Sequence, residues 1–531
     1  GTLTLTGANT YSGATTVDGG TLAVATGGAI ANASATIGVG DSTPASLALS
    51  GGSVAANAVR LGFNGGAGTL SMTGGTLTTN TLERWSYESA ATFAGGTLRA
   101  AADAPLLING FTLGSATLSG GGLTIDTGGH SAGFSANTVL DGAGGLTKTG
   151  GGTLTLGAPH AYTGATTINA GTLAISADES IGDESSVSVA AGATFALSDY
   201  SETINGLAGA GAVSLGTGVL TVGLADASSN FAGVISGTGG LVKTGTGTLT
   251  LSGANTYAGT TTIDGGALTV ATGGVLDHAA NGIWVGNTTS AEFTMTGGEV
   301  SASSLNLGRE GGLGIATLNG GTLTTREIAR WSIPSAISFN GGTLRAAGDT
   351  STLLIGFSNG SAVIHAGGLT IDTNGHAVST PAELTGTGGL TKTGAGTLTL
   401  SGATAYSGAT NVSAGTLALG ATASLAHTSA FRVASGATLD VSAVTGGFTL
   451  GSGQELSGAG TVVGAITITD GATLAPGNSP GTLSTGAQTW AGGGSYVWEI
   501  NDANGQAGVA YDIISITGSL TFTATPLNPF T

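Results

Sequence analysis

The text GTLTLTGANTYSGATTVDGGTLAV, Gly1 to Val24, returns three more times in this chain. It recurs as GTLTLGAPHAYTGATTINAGTLAI from Gly152, GTLTLSGANTYAGTTTIDGGALTV from Gly247 and GTLTLSGATAYSGATNVSAGTLAL from Gly396. Self-similarity at a fixed spacing points to a stack of like units rather than to independent globules. Inside each copy the second glycine-led strand text follows the first at one offset: Gly1 to Gly20, Gly152 to Gly171, Gly247 to Gly266 and Gly396 to Gly415, each 19 residues. Gly75 leads to Gly96 and Gly321 to Gly342, a step of 21, and then Gly96 leads to Gly122 and Gly342 to Gly368, a step of 26. Units of this length are solenoid spacing.

The repeated text alternates. In TLTLT, Leu3 and Leu5 share one side and Thr2, Thr4 and Thr6 the other, so such a strand buries a single face. No 3.6-residue period runs over 11 or more residues, which leaves out the helix that a leucine-rich repeat needs, and Asn-Gly, Gly-Gly and Ser-Gly pairs mark turns. The prediction is an all-β fold: a single-stranded parallel β-helix (β-solenoid), an elongated rod, with Leu, Val and Ile inside and Thr and Ser outside. At about 22 residues per coil the chain makes roughly 24 coils, on the order of 115 Å.

A larger duplication overlies the coil. GGTLTTNTLERW and GGTLTTREIARW, the two GGTLRAA segments, and GGLTIDTGGH with GGLTIDTNGH all recur about 245 residues apart. We read a long β-helix block at 1–145, a short one at 146–240, a second long block at 241–389, a second short one at 390–485, and a C-terminal β-rich capping segment at 486–531. In that last segment Trp490, Tyr496, Trp498 and Tyr511 supply larger side chains suited to covering an open coil.

Composition narrows the function. The 531 residues include 101 glycines without a G-X-Y period, so collagen is excluded. A formal net charge of -18 argues against nucleic acid and against an anionic membrane surface. Cysteine is absent, which removes disulfides, thiolate nucleophiles and zinc–thiolate sites together. No apolar run of about 20 residues forms a membrane-spanning segment. Three copies are preceded by a GGLTKTG-type lead that the first lacks, so the expectation is a mature or trimmed segment of a longer product.

With those leads, the motif GGLTKTGxGTLTLSGxxxYSGxTTVxxGTLxV resembles the autotransporter-associated β-strand repeat, or passenger-associated transport repeat. The resemblance implies a parallel β-helix passenger, exported through the envelope and displayed on a Gram-negative-type cell surface or released to the extracellular space. It implies no enzymatic activity. The stretch ATLAPGNSPGTLSTGAQTWAGGGSYVWEI, followed by YDIISITGSLTFTA, resembles the terminal segment of such repeat proteins.

Few side chains invite chemistry. Lys148, Lys243 and Lys392 are the only lysines and share one place in the repeat. They read either as a row of cationic contacts for an acidic glycan or neighbouring rod or, preferably, as a solvated position. Arg84-Trp85 and Arg330-Trp331 recur as candidate ligand or interface contacts able to stack on sugar rings; the plainer alternative is an Arg laid over its neighbouring indole. Asp126 with His130 and Asp372 with His376 form a duplicated acid–imidazole spacing without a third partner. The acidic run at 177–186, with Asp178, Glu179, Asp183 and Glu184, offers oxygen ligands but lacks a calcium-turn pattern and reads as a solvated loop. Tyr11, Tyr162, Tyr257 and Tyr406 follow the repeat and are assigned to packing.

No catalytic residue, metal site or cofactor is assigned. The expected function is physical: an extracellular rod acting in filament formation, through end-to-end self-association, or in adhesion. A glycan- or host-binding adhesin that uses the Arg-Trp coils is the alternative, and a polysaccharide-degrading β-helix enzyme the least favoured.

Overall fold

The computed structural model describes residues 1–477, 480–525 and 528–531, and it forms two compact units, Gly1–Thr261 and Thr262–Thr531. Each is a parallel β-solenoid, and the described residues contain no helix.

In the first unit the apolar positions stack in columns. Leu3 pairs with Leu22, which pairs with Leu47, then Leu70, Ala91 and Ala116; beside it run Leu5, Val24, Leu49, Met72, Phe93 and Leu118. The intervening Thr and Ser point outward, as period-two alternation requires. Each winding through the long block contributes three short strands where the spacing alone indicated one. Ala90–Phe93, Thr97–Ala100 and Ala104–Asn109 make one turn, and Ala116–Leu118, Leu123–Asp126 and Ala132–Phe134 the next. The corners between them are Gly-rich, which is why they read as generic turns in sequence. The 19-residue step is one winding, for Thr153–Leu156 pairs in register with Thr172–Ile175. Gly171 sits at that corner with φ +67°, and a Cβ there would lie 2.3 Å from the carbonyl of Gly152, so no other residue fits.

The second unit repeats the design. Leu268, Phe293, Ala316 and Ile337 form one inner column, with Val270, Met295, Leu318 and Phe339 beside it. Thr397–Leu400 stacks on Thr416–Leu419 at the equivalent of the 19-residue step. Further along, Ile468, Trp490 and Phe522 are register neighbours, and Trp490 also stacks on Phe530 at 4.4 Å between ring centroids and meets Phe522 edge-on at 5.3 Å. No helix among the described residues is long and apolar enough to cross a membrane.

Candidate functional site

The expected surface row of lysines is corrected by the structure: Lys148, Lys243 and Lys392 are buried. Lys148 is stacked in register between Ile125 and Ile168, and Lys392 between Ile371 and Val412, so the aliphatic stems continue the apolar columns. The ammonium ends at a corner, where Lys148 Nζ donates to the carbonyls of Thr149, Gly150 and Ala170 at 2.9, 2.8 and 3.0 Å. Lys392 Nζ donates to those of Thr393, Gly394 and Ala414 at 2.7, 2.7 and 3.0 Å. Lys243 makes the same bonds to Thr244 and Gly245. Burial pulls each of the three down to about 8, with Asp126, Asp226 and Asp372 respectively holding it up. In Lys148 and Lys392 all three N–H donors are spent inside the fold, leaving none for a glycan or a neighbouring rod.

The acid–imidazole spacing also resolves differently from its sequence reading. Asp126 pairs with Arg99 at 3.2 Å and caps its own turn by accepting from Gly128 N, while His130 lies 3.6 Å from Asp103. The second copy matches, with Asp372–Arg345 at 2.9 Å and His376–Asp349 at 3.3 Å. In the acidic run, Asp178 accepts from Ser201 N and Glu179 from Thr203 N and Oγ1, so these carboxylates tie one winding to the next.

Two further ionisable groups are buried in the first unit. Glu202 accepts from the backbone N–H groups of Ser180 and Ile181 at 2.9 and 3.0 Å; burial pushes it up to about 9, with those N–H bonds pulling the other way. His160 Nδ1 accepts from Leu140 N at 3.1 Å, and burial pushes the imidazole down to about 4. His160 stands where the third copy of the repeat has Asn255, whose Oδ1 accepts from Ile235 N at 3.0 Å.

What remains exposed is the Arg-Trp coil. Trp85 is 55% and Trp331 59% exposed. Arg84 does not cover its neighbouring indole. It staples the loop after it, with Nε donating to Ser89 O at 2.8 Å, Nη1 to Thr112 Oγ1 at 3.1 Å and Nη2 to Tyr87 O, and its guanidinium lies against the Tyr87 ring. Arg330 likewise donates through Nη1 to Ser361 Oγ at 2.9 Å and to the carbonyls of Gly356 and Ser358. The guanidinium over Trp85 belongs to Arg60, at 5.3 Å, and Phe63 packs against the same indole at 5.3 Å between centroids. Glu83 holds this ledge together: its Oε2 accepts from Trp85 Nε1 at 2.7 Å and from Arg60 Nε at 3.1 Å. Arg60 and Phe63 escaped the sequence reading because they lie one winding before Trp85, whereas Glu83 stands two residues from it on the same winding. The available signal was the one-winding spacing from Arg60 to Glu83, which the register confirms.

The structure thus defines a parallel β-solenoid whose ionisable groups are largely consumed internally and whose exposed aromatic ledges recur with the duplication. Four segments, residues 1–24, 146–175, 241–270 and 390–419, match the passenger-associated-transport-repeat family, so the chain carries four passenger-associated transport repeats. It is similar to the adhesin BmaC autotransporter of Brucella suis biovar 1 (strain 1330), 33% identical over 483 residues that cover 73% of this chain. The chain spans 14% of the length of that relative. No solved structure matches it.

Proposed function

We propose that the chain is part of an exported passenger that acts in adhesion at the bacterial surface. The observation that carries this reading is its similarity to an autotransporter adhesin, supported by the four transport repeats. The geometry agrees with a role in presentation. Columns of Leu, Val and Ile stabilise each unit, and the outward ledges at Trp85 and Trp331 supply large amphipathic contact surfaces. In this reading Trp85 and Trp331 touch the ligand, and Arg84 and Arg330 position the loops around them.

The function is non-catalytic in this reading, because the carboxylates singled out above serve corners and register rather than converging. Surface display in a non-adherent host tests the proposal. Cells carrying the full-length protein adhere to host cells or matrix, and deletion of this segment lowers adherence; equal adherence with and without the segment refutes it. A reducing-sugar assay over a polysaccharide panel is expected to give no release above background.

A further inference from the structure

The duplicated ledges differ at one position in a way that backbone geometry does not explain. On the outward face of the first unit, Thr16, Gly38, Arg60 and Glu83 are successive register neighbours. Gly38 has no positive φ, and a Cβ built on it meets nothing within 4 Å. The backbone therefore has no need of glycine there, and the missing side chain opens a notch. That notch has a volume of about 240 Å³ and is lined by Thr16, Thr36, Gly38, Asp41, Arg60 and Phe63, among others. In the second unit the matching column is Trp284, Asn306 and Ala329. Trp284 replaces Gly38, and Arg309, in place of Phe63, lays its guanidinium over the indole at 4.5 Å.

The notch carries the chemistry of a sugar subsite. Phe63 lines the notch and offers an apolar ring face to sugar C–H groups, with Trp85 packed against it at a tilt of 58°. Arg60 uses only Nε, on Glu83; among the described residues its Nη1 and Nη2 have no hydrogen-bond partner. Asp41 uses Oδ1, which accepts from Asn64 Nδ2 at 2.5 Å, and its Oδ2 has no partner among the described residues. A donor beside an acceptor matches adjacent hydroxyls, each of which gives and takes a hydrogen bond. Arg60 is balanced by Glu83 at 3.1 Å, Asp41 adds a negative charge, and the chain carries -18 overall, so a neutral ring fits better than an acidic one. The volume lies below the roughly 300 Å³ at which drug-sized pockets begin, which suits one ring.

We propose that this notch binds a single neutral pyranose ring of a glycan, and that Trp284 closes its duplicate in the second unit. The proposal deepens the adhesive reading above by naming its ligand class.

The test uses the full chain and the methyl glycosides of glucose, galactose and mannose, with binding read by saturation-transfer NMR and titration. At least one glycoside binds the native chain. Gly38→Trp, which places in the notch the side chain the duplicate already accommodates, abolishes that binding. Arg60→Asn, the second unit's own residue, weakens it at least about tenfold and carries the test should Gly38→Trp fail to fold. No binding of any of the three to the native chain, or native affinity in both variants, overturns the proposal. Adherence measured in parallel separates the two readings. Adherence without glycoside binding removes the notch and keeps the adhesive function, whereas glycoside binding without adherence does the reverse.

Discussion

Substituting Lys148 by Met removes one member of the buried lysine set while keeping an unbranched apolar stem between Ile125 and Ile168. Three hydrogen bonds are lost. The carbonyl of Thr149 still accepts from Thr127 N, but among the described residues those of Gly150 and Ala170 accept only from Lys148. Gly150 and Ala170 are only half-buried, so each carbonyl left unpaired costs about 1 kcal/mol, the low end of the range for a buried acceptor, and the two about 2 kcal/mol. Removing a desolvated ammonium returns part of this. The net expectation is a loss of about 1 kcal/mol, confined to neighbouring windings because solenoid stability is a nearest-neighbour sum. Guanidinium unfolding followed by far-UV circular dichroism reads it directly, with Thr147→Met on the outward side of the same strand as control. Since these are the chain's only lysines, ¹³C-labelled lysine gives three side-chain signals, expected to titrate near about 8 rather than the ordinary 10.5. An unchanged or raised midpoint in Lys148→Met would refute the claim that the carbonyl cage requires its donor.

Three other perturbations follow from the same geometry. His160 has a folded-state value near 4 against an ordinary 6.5, so the unfolded chain binds more protons between them and stability falls as pH drops through that window; His160→Asn, the repeat's own alternative, is expected to flatten this slope in pH-dependent melting curves. Glu202 has the opposite sign, because a folded-state value raised from 4.5 to about 9 makes stability fall as pH rises across that range; Glu202→Gln removes the slope but lowers the melting temperature, since its amide turns a donor toward a backbone N–H. Tyr162 shares a buried 2.7 Å hydroxyl contact with Thr166, whereas Tyr11 shares an exposed one with Thr15 at the same distance. Tyr162→Phe should therefore cost about 1 kcal/mol in denaturant titration, and Tyr11→Phe clearly less.

The coil and its columns were readable because period and alternation are one-dimensional signals. The 19-residue step between Gly152 and Gly171 is one winding, and Leu154 over Leu173 follows from it. The lysines were misplaced by weighting charge over parity. In LTKT, Leu146 and Lys148 share a side, so alternation already pointed Lys148 inward; what the text did not display was the carbonyl cage at the corner that makes this tolerable. The ledge was only half legible. Trp85 stood out by its repetition, but Arg60 and Phe63 join it and Glu83 through register, and register depends on how many residues each corner absorbs.

The two copies also show where such a fold permits change. The inward column Ile37, Val59 and Leu82 becomes Ile283, Leu305 and Ile328, aliphatic at every step. The outward column beside it, offset by a single residue, goes from Gly38, Arg60 and Glu83 to Trp284, Asn306 and Ala329, altering size at all three positions and charge at two. Parity along the strand thus separates stability from recognition. An inward substitution perturbs a column packed above and below, while an outward one at the half-buried Gly38, Arg60 and Glu83 is usually worth within about 0.5 kcal/mol; in the second unit Asn306 and Ala329 are covered, and change there costs more. Gly38→Trp, Arg60→Asn and Glu83→Ala made together, the exchange at the half-buried triplet of the first unit, should therefore leave the unfolding midpoint nearly unchanged while removing any ligand binding there. A large loss of stability on exchange would show that the outward columns hold the coil together, and the division between the two faces would fail.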